Sequence, residues 1–188
     1  DVLGSRGLGD VYKRQVLYHW RVHSASTADN PASKLYAYEA GKKAIEGNLA
    51  RCGEEGTVTL RSDYGFYDVD YKLRGTPLVS ILIPNKDQAD TLRTCLESIK
   101  KKCMYPSYEI LIIENNSTEE ATFSYYKELE AQGIRVLKYP KQGFNYSAIN
   151  NFGVKEAKGE YLLFLNNDME IITPDFMEKM VSLSLIHI

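Results

Sequence analysis

Residues 159–168 run Gly159, Glu160, Tyr161, Leu162, Leu163, Phe164, Leu165, Asn166, Asn167, Asp168. Five apolar residues stand together without a polar break. A run that short and continuous suits a strand buried on both faces, as in a parallel sheet. Gly159 is placed to close a preceding helix. The run stops abruptly in two amides and a carboxylate. Open α/β sheets bind ligands just outside the carboxyl ends of their strands. Oxygen-bearing side chains at such an end suit a hard divalent cation and the phosphates it carries. An isolated Asn-Asn-Asp is more often a polar turn after a core strand, so the rest of the chain has to support the reading.

From Pro77 onward strand and helix patterns alternate. Residues 78–83 form an apolar strand run ended by Pro84. Leu92, Cys95, Leu96, Ile99 and Cys103 mark one face of a helix. Residues 109–113 are the next strand. Ser117 with Glu120 reads as a capping box opening a helix to about Ala131. Residues 134–139 give a third strand and 147–158 a third helix. After the run at 161–165, Thr173 and Pro174 open another helix. Alternation with short links predicts an α/β fold, a mostly parallel sheet with helices on both faces.

Three of those strands end in polar clusters: Pro84, Asn85, Lys86 and Asp87; Glu114, Asn115, Asn116 and Ser117; Asn166, Asn167 and Asp168. In a parallel sheet all carboxyl ends share one edge, so the clusters should converge. Each alone reads as capping, with Asp87 and Ser117 as N-caps. Convergence of three favours a site. No glycine-rich loop follows the first strand, which disfavours a dinucleotide fingerprint or a phosphate-binding P-loop.

The part before Pro77 is different in kind. Residues 16–23 alternate loosely and read as a short strand, and 24–31 as a polar loop. Residues 32–51 read as a helix with Leu35, Tyr38, Ile45 and Leu49 on one face. Residues 57–60 and 66–73 are β-rich and flank a hairpin loop. A domain boundary is expected at Gly75, Thr76 and Pro77. The 188 residues carry a net charge of -2 with acids and bases intermixed, which leaves no basic face for nucleic acid. No apolar run is long enough to cross a membrane. Cys52, Cys95 and Cys103 form no metal-spaced pair, and an odd set outside any framework suits a reducing, cytoplasmic setting.

Both ends read as foreign. Residues 5–15 match the translation of a sequencing adapter that closes with a transposon mosaic end. Residues 183–188 match the same mosaic end read from the opposite strand. Residues 1–15 and 183–188 are therefore expected to be adapter-derived and are set aside in reasoning about the fold. Residues 16–182 are then expected to be an internal piece of a longer protein.

Four stretches in order, 79–87, 112–117, 145–153 and 159–168, resemble glycosyltransferase family 2. The resemblance covers residues 77–182 and is nearest to bacterial enzymes of surface-polysaccharide and lipopolysaccharide assembly, including rhamnosyltransferase-like members. It implies the GT-A fold, here its nucleotide-sugar-binding half. It implies transfer of a sugar from a nucleotide-diphosphate sugar donor to a glycan or lipid-linked acceptor. Peripheral association with the inner membrane, through parts outside this chain, goes with the same reading. Pro84, Asn85, Lys86 and Asp87 would lie against the nucleotide, and Glu114 and Asn115 where the family usually has two aspartates for base and ribose. Asn151 and Asn167 would also meet the donor. Asp168, with Asn166, would hold Mg2+ or Mn2+ on the diphosphate. Asn115 and Asn166 replace family aspartates, so which base is read stays open and Asp168 is left as the loop's only carboxylate. The family's catalytic base falls well after the metal loop and is expected beyond residue 182, which makes this piece inactive alone. Residues 18–27 resemble the closing part of a preceding family 2 module, with Arg21 and His23 toward its diphosphate. A strand with exposed basic residues accounts for them equally. The implied layout is such a tail with a linking helix over 16–52, a β-rich linker over 53–76 and the donor-binding half over 77–182.

Two other readings stay open. A non-catalytic sugar-nucleotide or glycan-binding module would tolerate amides in place of acids. A sugar nucleotidyltransferase uses a related sheet but carries a glycine- and arginine-rich loop that residues 84–87 lack.

Overall fold

The computed structural model describes residues 29–186 together with Tyr18, His19, Arg21 and His23. The strand expected over 16–23 falls on these isolated positions and their undescribed neighbours. Residues 1–15, 24–28 and 187–188 lie outside the described residues.

The chain divides into two compact units. One takes the residues up to Asn48 with Val58–Asp68, and the other Leu49–Thr57 with everything from Val69 onward. A 3-10 turn, Pro31–Lys34, leads into helix α1, Leu35–Cys52. Of the apolar face expected on α1 only Leu49 is buried; Tyr38 and Ile45 are partly covered and Leu35 is exposed. Strands β1, Gly56–Leu60, and β2, Tyr67–Tyr71, pair as the expected hairpin. Near its turn the Arg61 amide donates to the Phe66 carbonyl, and at its open end the Lys72 amide donates to the Glu55 carbonyl.

The larger unit is built on a four-stranded sheet. Its strands are β3, Val79–Asn85; β4, Tyr108–Glu114; β5, Arg135–Lys138; and β6, Tyr161–Phe164. They lie in the order β5-β4-β3-β6, and every pairing is parallel. Chain order thus runs outward from β3 to β5 and then jumps back to β6 on the other side of β3. Between these strands come helices α2, Ala89–Lys102; α3, Glu120–Ala131; and α4, Tyr146–Glu156, and α5, Phe176–Ile186, follows β6.

Successive side chains of a strand point to opposite faces, and β3 and β4 have apolar residues in both sets. Val79, Ile81, Ile83, Ile110 and Ile112 pack under Leu92, Leu96 and Ile99 of α2, Tyr125 and Leu129 of α3, and Met177 and Val181 of α5. Leu82, Leu111 and Ile113 pack against Ile149 of α4 and Tyr139. Helices therefore cover both faces, as the alternation predicts.

Four local expectations are corrected. First, β3 does not stop before Pro84 but continues through Asn85, with Pro84 opposite Ile113 and Asn85 opposite Glu114. The carbonyls of Leu78 and Leu82 accept from β6-side amides, so even-numbered positions of β3 face β6. The pairing with β6 ends at Leu82. Pro84 thus lacks an N–H only where no strand is left to receive it, a tolerated place for proline. Second, the 161–165 run is not buried on both faces. Leu162 and Phe164 are 39% and 46% exposed, because β6 is the last strand of the sheet among the described residues and has helix cover on one side. Third, Gly159 does not close α4, whose C-cap is Ala157. Gly159 instead passes so close to β3 that an added Cβ would lie 2.5 Å from the Ser80 amide nitrogen. Fourth, no Ser117–Glu120 box opens α3 and Asp87 does not cap α2. The cap positions are Glu119 and Gln88, neither of which makes a side-chain cap hydrogen bond.

Candidate functional site

The reversal of strand order falls between β3 and β6, so the crevice characteristic of open α/β sheets lies at the carboxyl end of β3. Asn85 closes β3 there and is 2% exposed. Its Oδ1 accepts a 2.7 Å hydrogen bond from Asn167 Nδ2, across the crevice from the end of β6. Its Nδ2 donates to the Tyr126 hydroxyl at 2.7 Å and to the Asp87 carbonyl at 2.9 Å. A buried amide with both ends satisfied holds its neighbours firmly.

The network continues to β4. Tyr126 Oη lies 3.3 Å from Ser117 Oγ, and Ser117 Oγ accepts from the Asp87 amide at 3.0 Å. Burial pushes the Tyr126 hydroxyl pKa up, although hydrogen bonds to Asn85 and Ser117 pull the other way. Glu114, 3% exposed, accepts from the Ser117 amide at 2.6 Å. The Asn115 amide donates to the Asn85 carbonyl at 2.9 Å, and the Asn116 side chain donates to Asn115 Oδ1 and the Lys141 carbonyl. Asp87 Oδ1 accepts from the amides of Thr118 at 2.7 Å and Glu119 at 2.9 Å. Those two amides, Glu119 first, hold the Asp87 carboxyl below the usual aspartate range. Asp87 thus fixes the lead-in to α3 without reaching the amides of its first turn.

Asp87, Gln88 and Asn116 have φ of 52°, 57° and 57°. This left-handed conformation is costly without glycine and is sustained only where the surroundings over-determine it. The bends just outside β3 and β4 are held in place by the network described above.

The three strand ends therefore converge, but their residues divide the work. Asp87 directs its side chain at the loop after β4, Asn85 at Tyr126 and Asn167, and Glu114 at the Ser117 amide of its own loop. Pro84 is half-buried inside β3, and Asn115 is buried behind Asn116. Lys86, Asn166 and Asp168 are exposed. Asn151 is exposed on α4, beside a hollow of about 400 Å3 lined by Tyr139, Lys141, Phe152 and Lys155, and no hydrogen bond among the described residues joins it to the strand ends. Tyr126 was missed from sequence. Its hydroxyl joins the end of β3 to Ser117 in the loop after β4, yet in the helical pattern it reads only as a core aromatic.

Among the described residues no three His, Cys, Asp or Glu side chains group to hold a metal ion. The Asp168 carboxylate and the Asn166 amide are hard oxygen donors, both exposed at the crevice. They fit a cation that draws the remaining oxygen ligands from a bound diphosphate or water.

Comparison with known proteins agrees with this geometry. The sequence model described as Glycosyl transferase family 2 matches residues 80–184. The O-antigen biosynthesis protein RfbC of Myxococcus xanthus is 43% identical over 166 residues, covering 88% of this chain and 13% of that protein. The uncharacterized protein y4gI of Sinorhizobium fredii is 39% identical over 173 residues, covering 90% of this chain and 19% of its own length. The chain thus spans less than a fifth of either relative. Among solved structures, the mannosyltransferase PcManGT of Pyrobaculum calidifontis, in complex with GDP-Man and Mn2+, superposes with a TM-score of 0.50 at 16% identity, covering 80% of this chain and 42% of that one. That likeness concerns the fold, which is GT-A. With the family's sequence model matched over more than half of its length, the chain belongs to glycosyltransferase family 2.

Proposed function

We propose that the chain supplies the donor-binding part of a sugar transferase, taking a nucleotide-diphosphate sugar and passing the sugar to a glycan or lipid-linked acceptor in bacterial surface-polysaccharide assembly. The observation that carries this is the Asn85–Asn167 hydrogen bond, which joins the ends of β3 and β6 across the strand-order switch and leaves Asp168 exposed beside it. The name of the Myxococcus relative supports the polysaccharide setting.

Breaking a sugar–phosphate bond leaves negative charge on the diphosphate. Asp168, aided by Asn166, would hold Mg2+ or Mn2+ there. That ion stabilises leaving-group charge as a Lewis acid. Lys86, exposed at the end of β3, is available to the phosphates as a point charge. Glu114 and Asn115 brace the loop that faces base and ribose. Asn151 would meet the donor only through the loop at 139–141.

Calorimetry with UDP and GDP tests the reading. Wild type should bind one of them in Mn2+ and lose most of that affinity in chelator. Asp168→Ala should lower affinity in Mn2+ about tenfold or more, the usual scale for a removed metal ligand or its support. Equal affinities of the two proteins in Mn2+ would overturn the assignment.

A further inference from the structure

The segment from Asn166 to Ile171 carries Asp168, and α2 grips it at both ends. At one end Cys95, which has no exposed surface, points its Sγ at the Asn166 carbonyl at 3.8 Å. At the other, Ser98 Oγ accepts a 2.9 Å hydrogen bond from the Ile171 amide. Ser98 is 6% exposed and Ile171 8%. Serine within a helix commonly turns its hydroxyl proton back to its own helix. Ser98 does so, donating to the Cys95 carbonyl at 2.7 Å. With its proton engaged there, the oxygen lone pairs remain for Ile171. Cys95 and Ser98 are one turn apart, so a single face of α2 presents both contacts. The Asn167 side chain is fixed separately by Asn85 at 2.7 Å. Between these anchors only Asp168, Met169 and Glu170 are exposed.

We infer that Ser98, together with Cys95, is a positioning residue that sets the height and direction of the Asp168 carboxylate at the crevice. This rests on the donor-binding reading above. The physical ground is that an exposed single carboxylate gains metal affinity only if it is held ready; each freely moving residue between it and the core would cost ordering on binding. Groups that orient a metal ligand without touching the metal carry much of the affinity. Neither side chain hydrogen-bonds to Asp168 itself, and nothing in their residue types announces the role: in the helical pattern Cys95 reads as a core residue, and Ser98 is not part of the apolar face at all.

The test uses the whole chain and three readouts. Hydrogen exchange at the Ile171 amide reports the clamp with no ligand present. Affinity for UDP and GDP, in Mn2+ and in chelator, reports the consequence. The third is the same pair of affinities in an Asp168→Ala background. Ser98→Ala should lose protection at Ile171 and weaken binding in Mn2+ roughly tenfold, with affinity in chelator unchanged. Ser98→Thr, which keeps the hydroxyl, should recover both. Ser98→Ala should add nothing further once Asp168 is alanine, as expected of two residues acting as one unit. Should Ser98→Ala fail to fold, Cys95→Ser, which keeps a donor for Asn166, and Cys95→Val, which does not, make the same comparison. An equal loss in Mn2+ and chelator would mean that Ser98 only supports the fold and would overturn the inference, as would an unchanged affinity in Mn2+. If Asp168→Ala itself has no effect in Mn2+, the donor reading has failed and the positioning role falls with it; an effect of Asp168→Ala without one of Ser98→Ala sinks the positioning role alone.

Discussion

Asn85 and Asp87 show what a residue type reveals and what it conceals. A polar pair at the end of a buried strand points to the carboxyl edge of the sheet, and Asn85 closes β3 there with Asp87 just beyond it. Their side chains, however, bind other parts of the protein: Asp87 reaches Thr118 and Glu119, and Asn85 reaches Tyr126 of α3 and Asn167. Those partners lie tens of positions away, and no local spacing encodes them. Asp168 was legible because it is the one carboxylate in the polar cluster 166–168 that directly follows the apolar run. Cys95 offers a measurable case at the same scale. Burial first, and the Asp168 carboxylate second, push its thiol up to about 11, and it has no exposed surface. Cys52 is exposed. Iodoacetamide at neutral to mildly basic pH should therefore alkylate Cys52 and leave Cys95 unmodified until urea unfolds the chain, as peptide mass spectrometry can follow. Equal labelling of both in the folded protein would contradict the packing of α2 over the Asp168 loop.

Strand and helix identities were the most readable level, since β3 and β4 carry the continuous apolar runs 81–84 and 110–113 and α2 repeats its apolar residues at helical spacing. What failed were the ends. Pro84 reads as a stop until the neighbouring strand is known to end first, and the Ser117–Glu120 capping box is a local pattern that fails because α3 starts later, with Glu119 at the cap position. Element junctions also hold the sheet together away from the site. At the amino-terminal edge Glu109 of β4 accepts from Ser80 Oγ of β3 at 2.6 Å and from the Lys158 amide at 2.7 Å, and lies 3.6 Å from Arg135 of β5. The Gly159 amide donates to the same Ser80 oxygen at 2.7 Å. One carboxylate thus links β3, β5 and the lead-in to β6. Burial raises its pKa, but the hydrogen bonds from Ser80 and Lys158 and the charges of Arg135 and Lys158 outweigh that and leave it lowered. A carboxyl with a lowered folded pKa stabilises the fold above the ordinary glutamate range. That contribution is lost as pH falls through the lowered value. Glu109→Gln should cost about 1–2 kcal/mol in urea unfolding at neutral pH. The difference from wild type should shrink at pH below the carboxylate range. Metal-dependent nucleotide binding should be unaffected, because this edge is opposite the crevice. A constant difference at all pH values would show that the charge of Glu109 is not what matters.

Over the whole molecule, four motifs in order identified the family, but no motif states strand order. The run at 161–165 reads as buried on both faces because continuous apolar strands usually are. Its position at the sheet edge follows from the jump back past β3, which is a topological fact and not a local one. On the side away from β3, β6 meets no strand among the described residues. Its outward side chains, Leu162 and Phe164, are 39% and 46% exposed, and Ile172, Met180 and Leu183 nearby in sequence are 81%, 52% and 50% exposed. An apolar edge with unpaired backbone groups is a template for pairing with another chain. Natural edges are commonly guarded by an outward lysine. The chain should therefore self-associate, with light-scattering mass rising as concentration rises. Phe164→Lys places a charge on the exposed face of β6 without touching the buried face or the Asp168 loop. It should lower the self-association markedly while leaving the melting temperature and the Mn2+-dependent binding close to wild type. Wild type that stays monomeric across the concentration range would show that the edge is guarded by something other than side-chain charge. A Phe164→Lys variant that associates as strongly as wild type would move the contact elsewhere.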